Sequence, residues 1–309
     1  MIDVSCIIIN YNTSQLTKEA IQSVMDFTQD DVNYEIVVLD NASKYEDYIN
    51  LKDFVDQAPD FVNIHRSRIN TGFGGGNMLG VQKAQPCKYY AFINNDILFV
   101  QDNTLLDLFN FMESNDSIGI CSPQMLDENK NFRGTIDHFA TPARQLLKRG
   151  FLEKINPSKY PDRKKFYNEP IKANYVQGSF MFTRASSFEK VGGFDTNLFL
   201  YYEESDLSMR FLKTLGQSSY LYPQQSYIHY KGGSTAKSIL IKIEQKISLL
   251  YLIHKHHGLL AHRLLLVFYV LKYFFSSLVK SKNWKLWLVL LKGAPLSLSL
   301  KQQQVVLPK

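Results

Sequence analysis

Only three cysteines occur in 309 residues, Cys6, Cys87 and Cys121, with neither a CxxC nor a Cys/His spacing. A disulfide scaffold or a cysteine-held zinc site is therefore not the basis of this fold, and the three read as buried small hydrophobes in a reducing compartment. Acid is missing from one end. After Glu244 there is no Asp or Glu but ten basic residues, Lys246, Lys255, Arg263, Lys272, Lys280, Lys282, Lys285, Lys292, Lys301 and Lys309. The whole chain carries +6, so removing those ten charges leaves −4 on residues 1–245. The basic character belongs to the tail, which argues against a nucleic-acid surface and for a local anionic contact. No basic stretch followed by an apolar core opens the chain, so no signal peptide is read and the active part is expected in the cytoplasm. GxGxxG after the first strand and GxxxxGK[ST] are both missing, which removes the dinucleotide and P-loop readings.

Hydrophobic residues make up 45% and aromatics 13% of the chain, ample for a large core. The length suits one large domain with an appendage, here 1–238 and 239–309. Val4 to Ile9 is a short, nearly continuous apolar run, a strand covered on both faces. A helix follows, capped by Thr13 or Ser14, with apolar positions Leu16, Ala20, Ile21, Val24 and Met25. Tyr34 to Leu39 is a second strand ending in Asp40-Asn41-Ala42-Ser43, and this βαβ unit predicts a parallel sheet. A helix over 45–57, a strand over 62–66 and the loop Asn70-Thr71-Gly72-Phe73-Gly74-Gly75-Gly76-Asn77 come next. That loop reads as a tight turn or as backbone passing under a sugar or phosphate.

The strand Tyr90–Ile93 ends abruptly in Asn94-Asn95-Asp96. A buried strand that delivers two amides and a carboxylate to its C-terminal edge places cation- and phosphate-directed groups where open α/β sheets bind ligands. Residues 103–115 read as a helix and 118–122 as a strand. From Arg133 to Lys172 periodicity weakens and Pro142, Pro157, Pro161 and Pro170 interrupt it, which predicts a long loop over the sheet. Val176 to Thr183 reads as one strand broken at Gly178. Gly192-Gly193-Phe194-Asp195 is a turn, and a helix from about Ser205 stops at Gly216. Asp206 and Arg210 are spaced as an i, i+4 pair.

These pieces, in this order, with Tyr202-Glu203-Glu204-Ser205-Asp206-Leu207, His229 and Gly232-Gly233-Ser234 behind them, closely resemble the family 2 glycosyltransferases of GT-A fold, in particular the rhamnosyltransferase-like branch that builds bacterial surface polysaccharides. The resemblance covers roughly residues 3–235. It implies an α/β fold, a mixed, mostly parallel Rossmann-like sheet flanked by helices. It implies that Asp40 bonds the base or ribose of a nucleotide-sugar, with Ile9, Asn10 and Tyr11 lining the base pocket. Asn70, Gly72, Asn94 and Asn95 would lie along the nucleoside and donor sugar. Asp96, with His229 as a further ligand, would hold Mg²⁺ or Mn²⁺ on the diphosphate. Asn94 stands where the family's DxD motif has its first Asp, so one negative charge is missing. Glu203-Glu204 replaces the usual Glu-Asp. The second position is the family's base for inverting transfer, which singles out Glu204, with Glu203 as alternative. Asp40 could instead cap the segment after Ser43, and the two glutamates could simply sit at a helix N-terminus.

The QxxRW motif of processive members is missing, so one sugar per encounter is expected. The tail from Ile239 to Leu291 is helical and apolar but split by Lys272, short of the ~20 uninterrupted residues of a spanning helix. Its wheel groups His262, Lys272, Ser276, Ser277 and Lys280 on one side. With Trp284 and Trp287 this predicts an interfacial helix on an anionic membrane surface, placing the chain on the inner face of the plasma membrane. The alternatives are packing on the catalytic domain or in a homodimer, and a true spanning segment. His254, His256 and His257 read as surface or headgroup contacts. The expected activity is transfer of one sugar, dTDP-rhamnose being the first donor to test, to a lipid-linked oligosaccharide. A nucleotide-sugar-binding scaffold without turnover and a soluble transferase acting on protein remain as rivals.

Overall fold

In the computed structural model, which describes residues 1–29, 31–230 and 238–307, the first apolar run becomes β1 (Ile2–Asn10). Val4, Cys6, Ile7 and Ile8 are wholly buried, as a strand covered on both faces requires. Strict alternation follows: α1 (Ser14–Asp26), β2 (Tyr34–Asn41), α2 (Tyr45–Val55), β3 (Val62–Ser67), α3 (Gly72–Val81) and β4 (Cys87–Asn94). β1 pairs in parallel with β2 and β4, and β2 with β3.

The second half is more irregular. It comprises β5 (Ile97–Phe99), α4 (Thr104–Glu113), β6 (Ile118–Leu126), β7 (Ile136–Asp137), α5 (Pro142–Leu147), α6 (Arg149–Ile155) and β8 (Ile171–Ala173). Then come β9 (Tyr175–Val176), β10 (Phe180–Arg184), α7 (Ala185–Lys190), α8 (Glu203–Arg210) and β11 (Ser218–His229). The main sheet runs β3-β2-β1-β4-β10-β6-β11-β5, with β8 also on β11. Strands β1, β2, β3, β4, β6 and β11 point one way and β5, β8 and β10 the other. The sheet is thus mixed and mostly parallel, with apolar clusters on both faces.

Two expectations give way here. The 133–172 stretch is not a bare loop. Pro142 opens α5 instead of breaking a helix, because Thr141 caps it, its Oγ1 accepting from the Arg144 N–H at 3.2 Å. Residues 176–183 form two strands in two sheets, β9 with β7 and β10 with β4, and Gly178 lies in the crossover between them.

The tail is α9 (Ile239–Val279), kinked at Gly258 where φ is 81°, and α10 (Asn283–Leu291). Its first half buries Ile243, Ile247, Leu250 and Ile253; its second buries Leu265, Tyr269, Tyr273 and Ser277 at four-residue spacing. These pack with Leu286, Leu290 and Ala140 as a third apolar cluster. The expected polar side is not realised as drawn: Ser277 faces inward and donates to the Tyr273 carbonyl at 2.6 Å, while Lys272 and Lys280 stand among exposed apolar side chains. Those side chains, Leu260, Leu264, Val267, Leu271, Phe275 and Val279, are 56–82% exposed. By length and composition α9 is able to cross a membrane, and only 17% of its most apolar window is buried. Beyond α10 the chain returns to the catalytic body, Leu307 N–H donating to the Arg68 carbonyl at 2.7 Å.

Candidate active site

A cleft of about 480 Å³ opens at the C-terminal ends of β1, β2 and β4, the position where open α/β sheets bind ligands. Ile9, Tyr11, Asn41, Asn70, Gly72, Phe73, Asn94 and Asn95 line it. The tail closes its far side with Leu240, Ile241, Leu300 and Gln304. Nothing in the sequence signals that last contribution, since those residues lie more than a hundred positions from the strands they face.

Asn10 and Asp40 do not line this cleft. Both are wholly buried behind it. The Asn10 amide donates to Asp40 Oδ1 (3.0 Å), Ser43 Oγ (3.1 Å) and Asp47 Oδ2 (2.9 Å), two protons serving three acceptors. Asp40 Oδ2 accepts from the Ser43 N–H at 3.2 Å and lies 3.3 Å from Arg66 Nε. Burial raises the Asp40 pKa, and the Ser43, Asn10 and Arg66 contacts oppose that rise. With these partners the carboxylate caps the turn after β2, as the second sequence reading allows. Asn95 extends the same network, donating to Thr13 Oγ1 at 2.7 Å and Thr17 Oγ1 at 2.8 Å, so it pins the end of β4 to α1.

Asn41 is the residue that sequence reasoning undervalued. Its amide donates to Asn70 Oδ1 and the Gly72 carbonyl, each at 3.1 Å, and its Oδ1 accepts from Thr71 N–H and Oγ1, each at 3.0 Å. It therefore clamps the start of α3 onto β2 while facing the cleft; the stretch expected as a loop over 70–77 is helical from Gly72. Gly72 has φ +75°, and a Cβ there would meet the Phe199 carbonyl oxygen at 2.0 Å, so only glycine fits.

A second cavity, of about 230 Å³, shares Phe73, Asn94 and Leu200 with the first and adds His229, Gly178, Glu203 and Glu204. Antiparallel pairing of β5 with β11 sets His229 opposite Ile97. His229 Nε2 thereby comes within 3.2 Å of Asp96 Oδ1, although they lie far apart in sequence. That oxygen is buried and makes no hydrogen bond, the 3.2 Å contact lying off the hydrogen-bond direction. Two cis ligands of an octahedral Mg²⁺, each about 2.1 Å from the ion, stand about 3 Å apart. The pair thus fits a divalent cation that draws its remaining ligands from phosphate or water. No group of three or more His, Cys, Asp or Glu side chains able to hold a metal occurs among the described residues. Gly232-Gly233-Ser234 lies outside the described residues.

Glu203 and Glu204 are the first two residues of α8, presented by Tyr201 and Tyr202, both with left-handed backbone (φ 75° and 74°). Consecutive non-glycine residues there are strained, a strain that clusters at functional sites. Glu203 is buried with Oε1 unbonded, and burial, then the charge of Glu204, pushes its carboxyl well above the usual range. Burial raises Glu204 to about 7, with Asp137 adding to the rise and Arg144 opposing it. Of the two, Glu204 is the one whose value lies near neutrality.

Helix α8 is held from the tail. Burial would raise the Asp206 pKa, but His256, Arg210 and Lys255 outweigh it and bring it down to about 2. Arg210 Nε lies 2.9 Å, His256 Nε2 2.7 Å and Lys255 Nζ 2.8 Å from the carboxylate. The His256 side chain is thus a buried anchor, not a headgroup contact, because α9 brings it onto the Asp206 carboxylate of α8. Asp195 of the Gly-Gly-Phe-Asp turn joins in, accepting from Tyr251 Oη at 2.8 Å and Lys255 Nζ at 2.7 Å.

A nucleotide-sized cleft at the strand ends, a cation-fitting Asp–His pair and a poised carboxylate on one shared cavity define a nucleotide-diphospho-sugar transferase of GT-A type. Comparison with known proteins agrees. Residues 5–192 match glycosyl transferase family 2, and the chain belongs to that family. It is 28% identical over 231 residues to the rhamnosyltransferase WbbL of Escherichia coli K12, covering 72% of this chain and 82% of that one. It is 30% identical over 108 residues to the N-acetylglucosaminyl-diphospho-decaprenol L-rhamnosyltransferase of Mycobacterium tuberculosis H37Rv, 34% of this chain and 31% of that protein. These relatives put it in the rhamnosyltransferase-like branch. The crystal structure of GalNAc-T7 with UDP, GalNAc and Mn²⁺ superposes with a TM-score of 0.60 at 16% identity, over 82% of this chain and 48% of that one, which shows the shared fold.

Proposed function

We propose that this glycosyltransferase is inverting and divalent-cation dependent, and moves one sugar from a nucleoside-diphosphate sugar to a lipid-linked saccharide at the cytoplasmic face of the membrane. The observation that carries the reading is the single cavity onto which Asn94, His229, Glu203 and Glu204 all open, continuous with the larger cleft at Phe73, Asn94 and Leu200. The names of the bacterial relatives make dTDP-rhamnose the first donor to test, and the mycobacterial one supports a lipid-linked acceptor.

In this reading the nucleoside lies between Ile9, Tyr11 and Asn41, with Asn70 and Gly72 beneath it. Asn10 and Asp40 act from behind the wall by setting the β1 and β2 termini. Asp96 and His229 would hold Mg²⁺ or Mn²⁺ on the diphosphate, and the cation supplies charge neutralisation for the departing nucleoside diphosphate. Asn94 adds an amide and no charge, so cation affinity depends on the bound diphosphate. Glu204 accepts the proton of the acceptor hydroxyl as its oxygen attacks the anomeric carbon and the bond to phosphate breaks. Burial and the neighbouring Glu204 both push the Glu203 carboxyl upward, which favours its uncharged form beside the base.

Glu204→Gln is expected to lower transfer by about 10²–10⁴-fold while nucleoside diphosphate with Mn²⁺ still raises the melting temperature. Near wild-type transfer by this variant, with Glu203→Gln inactive instead, would reassign the base to Glu203.

A further inference from the structure

A third cavity, of about 410 Å³, lies between the 136–163 segment and the first half of α9. Its wall carries Arg144, Lys148, Arg149, Arg163 and Lys246 beside Tyr202. Two carboxylates sit among these cations. Asp137 Oδ2 accepts from Arg144 Nη2 at 2.9 Å and Arg149 Nη2 at 2.7 Å, while Glu153 takes Arg163 Nε at 3.0 Å. Five positive side chains against two negative ones leave three charges unbalanced. Lys148 and Lys246 have no carboxylate partner among the described residues. Arg144 is 6% exposed, and its Nη1 is buried without a hydrogen bond, although the Tyr175 phenol is nearby. Lys246 Nζ rests over the Tyr269 ring at 4.3 Å. Burial, then Lys272, Lys242 and Arg144, lowers its pKa to about 8. A concave, partly dry cluster of unbalanced cations with unused donors is built for a multivalent anion.

Position says which anion. Tyr202 borders this cavity and directly precedes Glu203 and Glu204, and Asp137 and Arg144 are the charges that act on Glu204. The cavity therefore adjoins the segment that carries the base, within reach of a molecule that extends away from Glu204. On α5 and α6, Leu146, Leu147, Phe151 and Ile155 are 47–58% exposed, and α5 packs on α9, whose outer face is apolar too. A bound anion would thus carry apolar chain beside it.

We propose that this cavity binds the diphosphate of a lipid-diphosphate-linked saccharide acceptor, with its lipid lying along the exposed apolar side chains of α5, α6 and outer α9. This rests on the glycosyltransferase reading above and names its acceptor class. Membrane headgroups and free pyrophosphate share the chemistry, so the test separates them.

Lys148→Gln/Lys246→Gln removes two cations and leaves no carboxylate unpaired, so the melting temperature should hold. With one saccharide offered on phytanyl diphosphate or on a neutral octyl chain, the double variant is expected to raise KM for the diphosphate acceptor about tenfold or more, as loss of charge-assisted bonds requires. Turnover of the octyl acceptor and KM for the donor should not change. Equal effects on both acceptors, or an unmoved KM, overturn the proposal. So does loss of binding to phosphatidylglycerol vesicles with the acceptor KM intact, which would make this a headgroup site. If the wild type transfers to neither acceptor, the acceptor reading itself fails. The cavity is then judged by titration with phytanyl diphosphate in EDTA: binding lost in the double variant upholds the diphosphate site, and equal binding overturns it.

Discussion

Glu203 and Glu204 are neighbours in sequence with different chemistry, and the difference is environmental. Both border the same cavity, but Glu203 is almost wholly buried with one oxygen unbonded, whereas Glu204 is more open and feels Arg144 as well as Asp137. A base with a value of about 7 must be ionised to work, so kcat/KM should rise about tenfold per pH unit below 7 and level off above it. A pH–rate profile under saturating Mn²⁺ checks this, and a flat profile between pH 6 and 8, a range of roughly one unit either side, would remove Glu204 from the role. The same shift acts on stability with a definite sign. Its folded value lies above the ordinary one, so the fold is favoured at low pH and loses that contribution as pH rises through 7. At this scale the sequence was informative about identity: two acids in the family's place, and a strand-end Asp with a distant His. It was silent about how far each carboxyl is shifted, because desolvation depends on what packs around it.

At the scale of elements, α8 is short and begins in strained backbone, so something outside it must fix its position. The i, i+4 pair of Asp206 and Arg210 was legible from spacing, and it forms. Its larger role was not, because His256 and Lys255 reach it from a helix about fifty residues on. Asp206→Asn removes a wholly buried carboxylate from Arg210, Lys255 and His256 and is expected to destabilise the protein by about 3 kcal/mol, read as a lower urea midpoint with unchanged m-value. Transfer should fall with it where the fold survives, as the base loses its placement. The glycine-rich stretch shows a second case. Its composition predicts a turn or a loop under a sugar or phosphate, but it is helical from Gly72 onward, and the close approach at Gly72 is to the Phe199 carbonyl.

For the whole molecule, the tail is both core and surface. Its first half anchors Asp206 of α8, its last turns wall the cleft at the strand ends, and its middle exposes an apolar face with lysines along it. An unfilled face of this kind on a basic, acid-free segment suits the anionic membrane interface. Leu260→Glu, Leu264→Glu and Phe275→Glu together should abolish co-sedimentation with phosphatidylglycerol vesicles and leave the melting temperature and hydrolysis of soluble donor unchanged. Retained sedimentation would sink the interfacial role, and a fall from dimer to monomer in light scattering would assign the face to a second copy.

From the sequence alone came the βαβ alternation, the parallel half of the sheet, the candidate residues at strand ends and the asymmetry of charge. Each is a local or periodic property, readable wherever burial on two faces or a turn constrains neighbouring residues. Tertiary structure decided what depends on distant segments meeting. It turned Asp40 inward, brought His229 to Asp96, raised Glu204 to about 7 and gathered five cations beside it. Those outcomes arise from pairing register, desolvation and the return of a remote helix, none of which a linear pattern encodes.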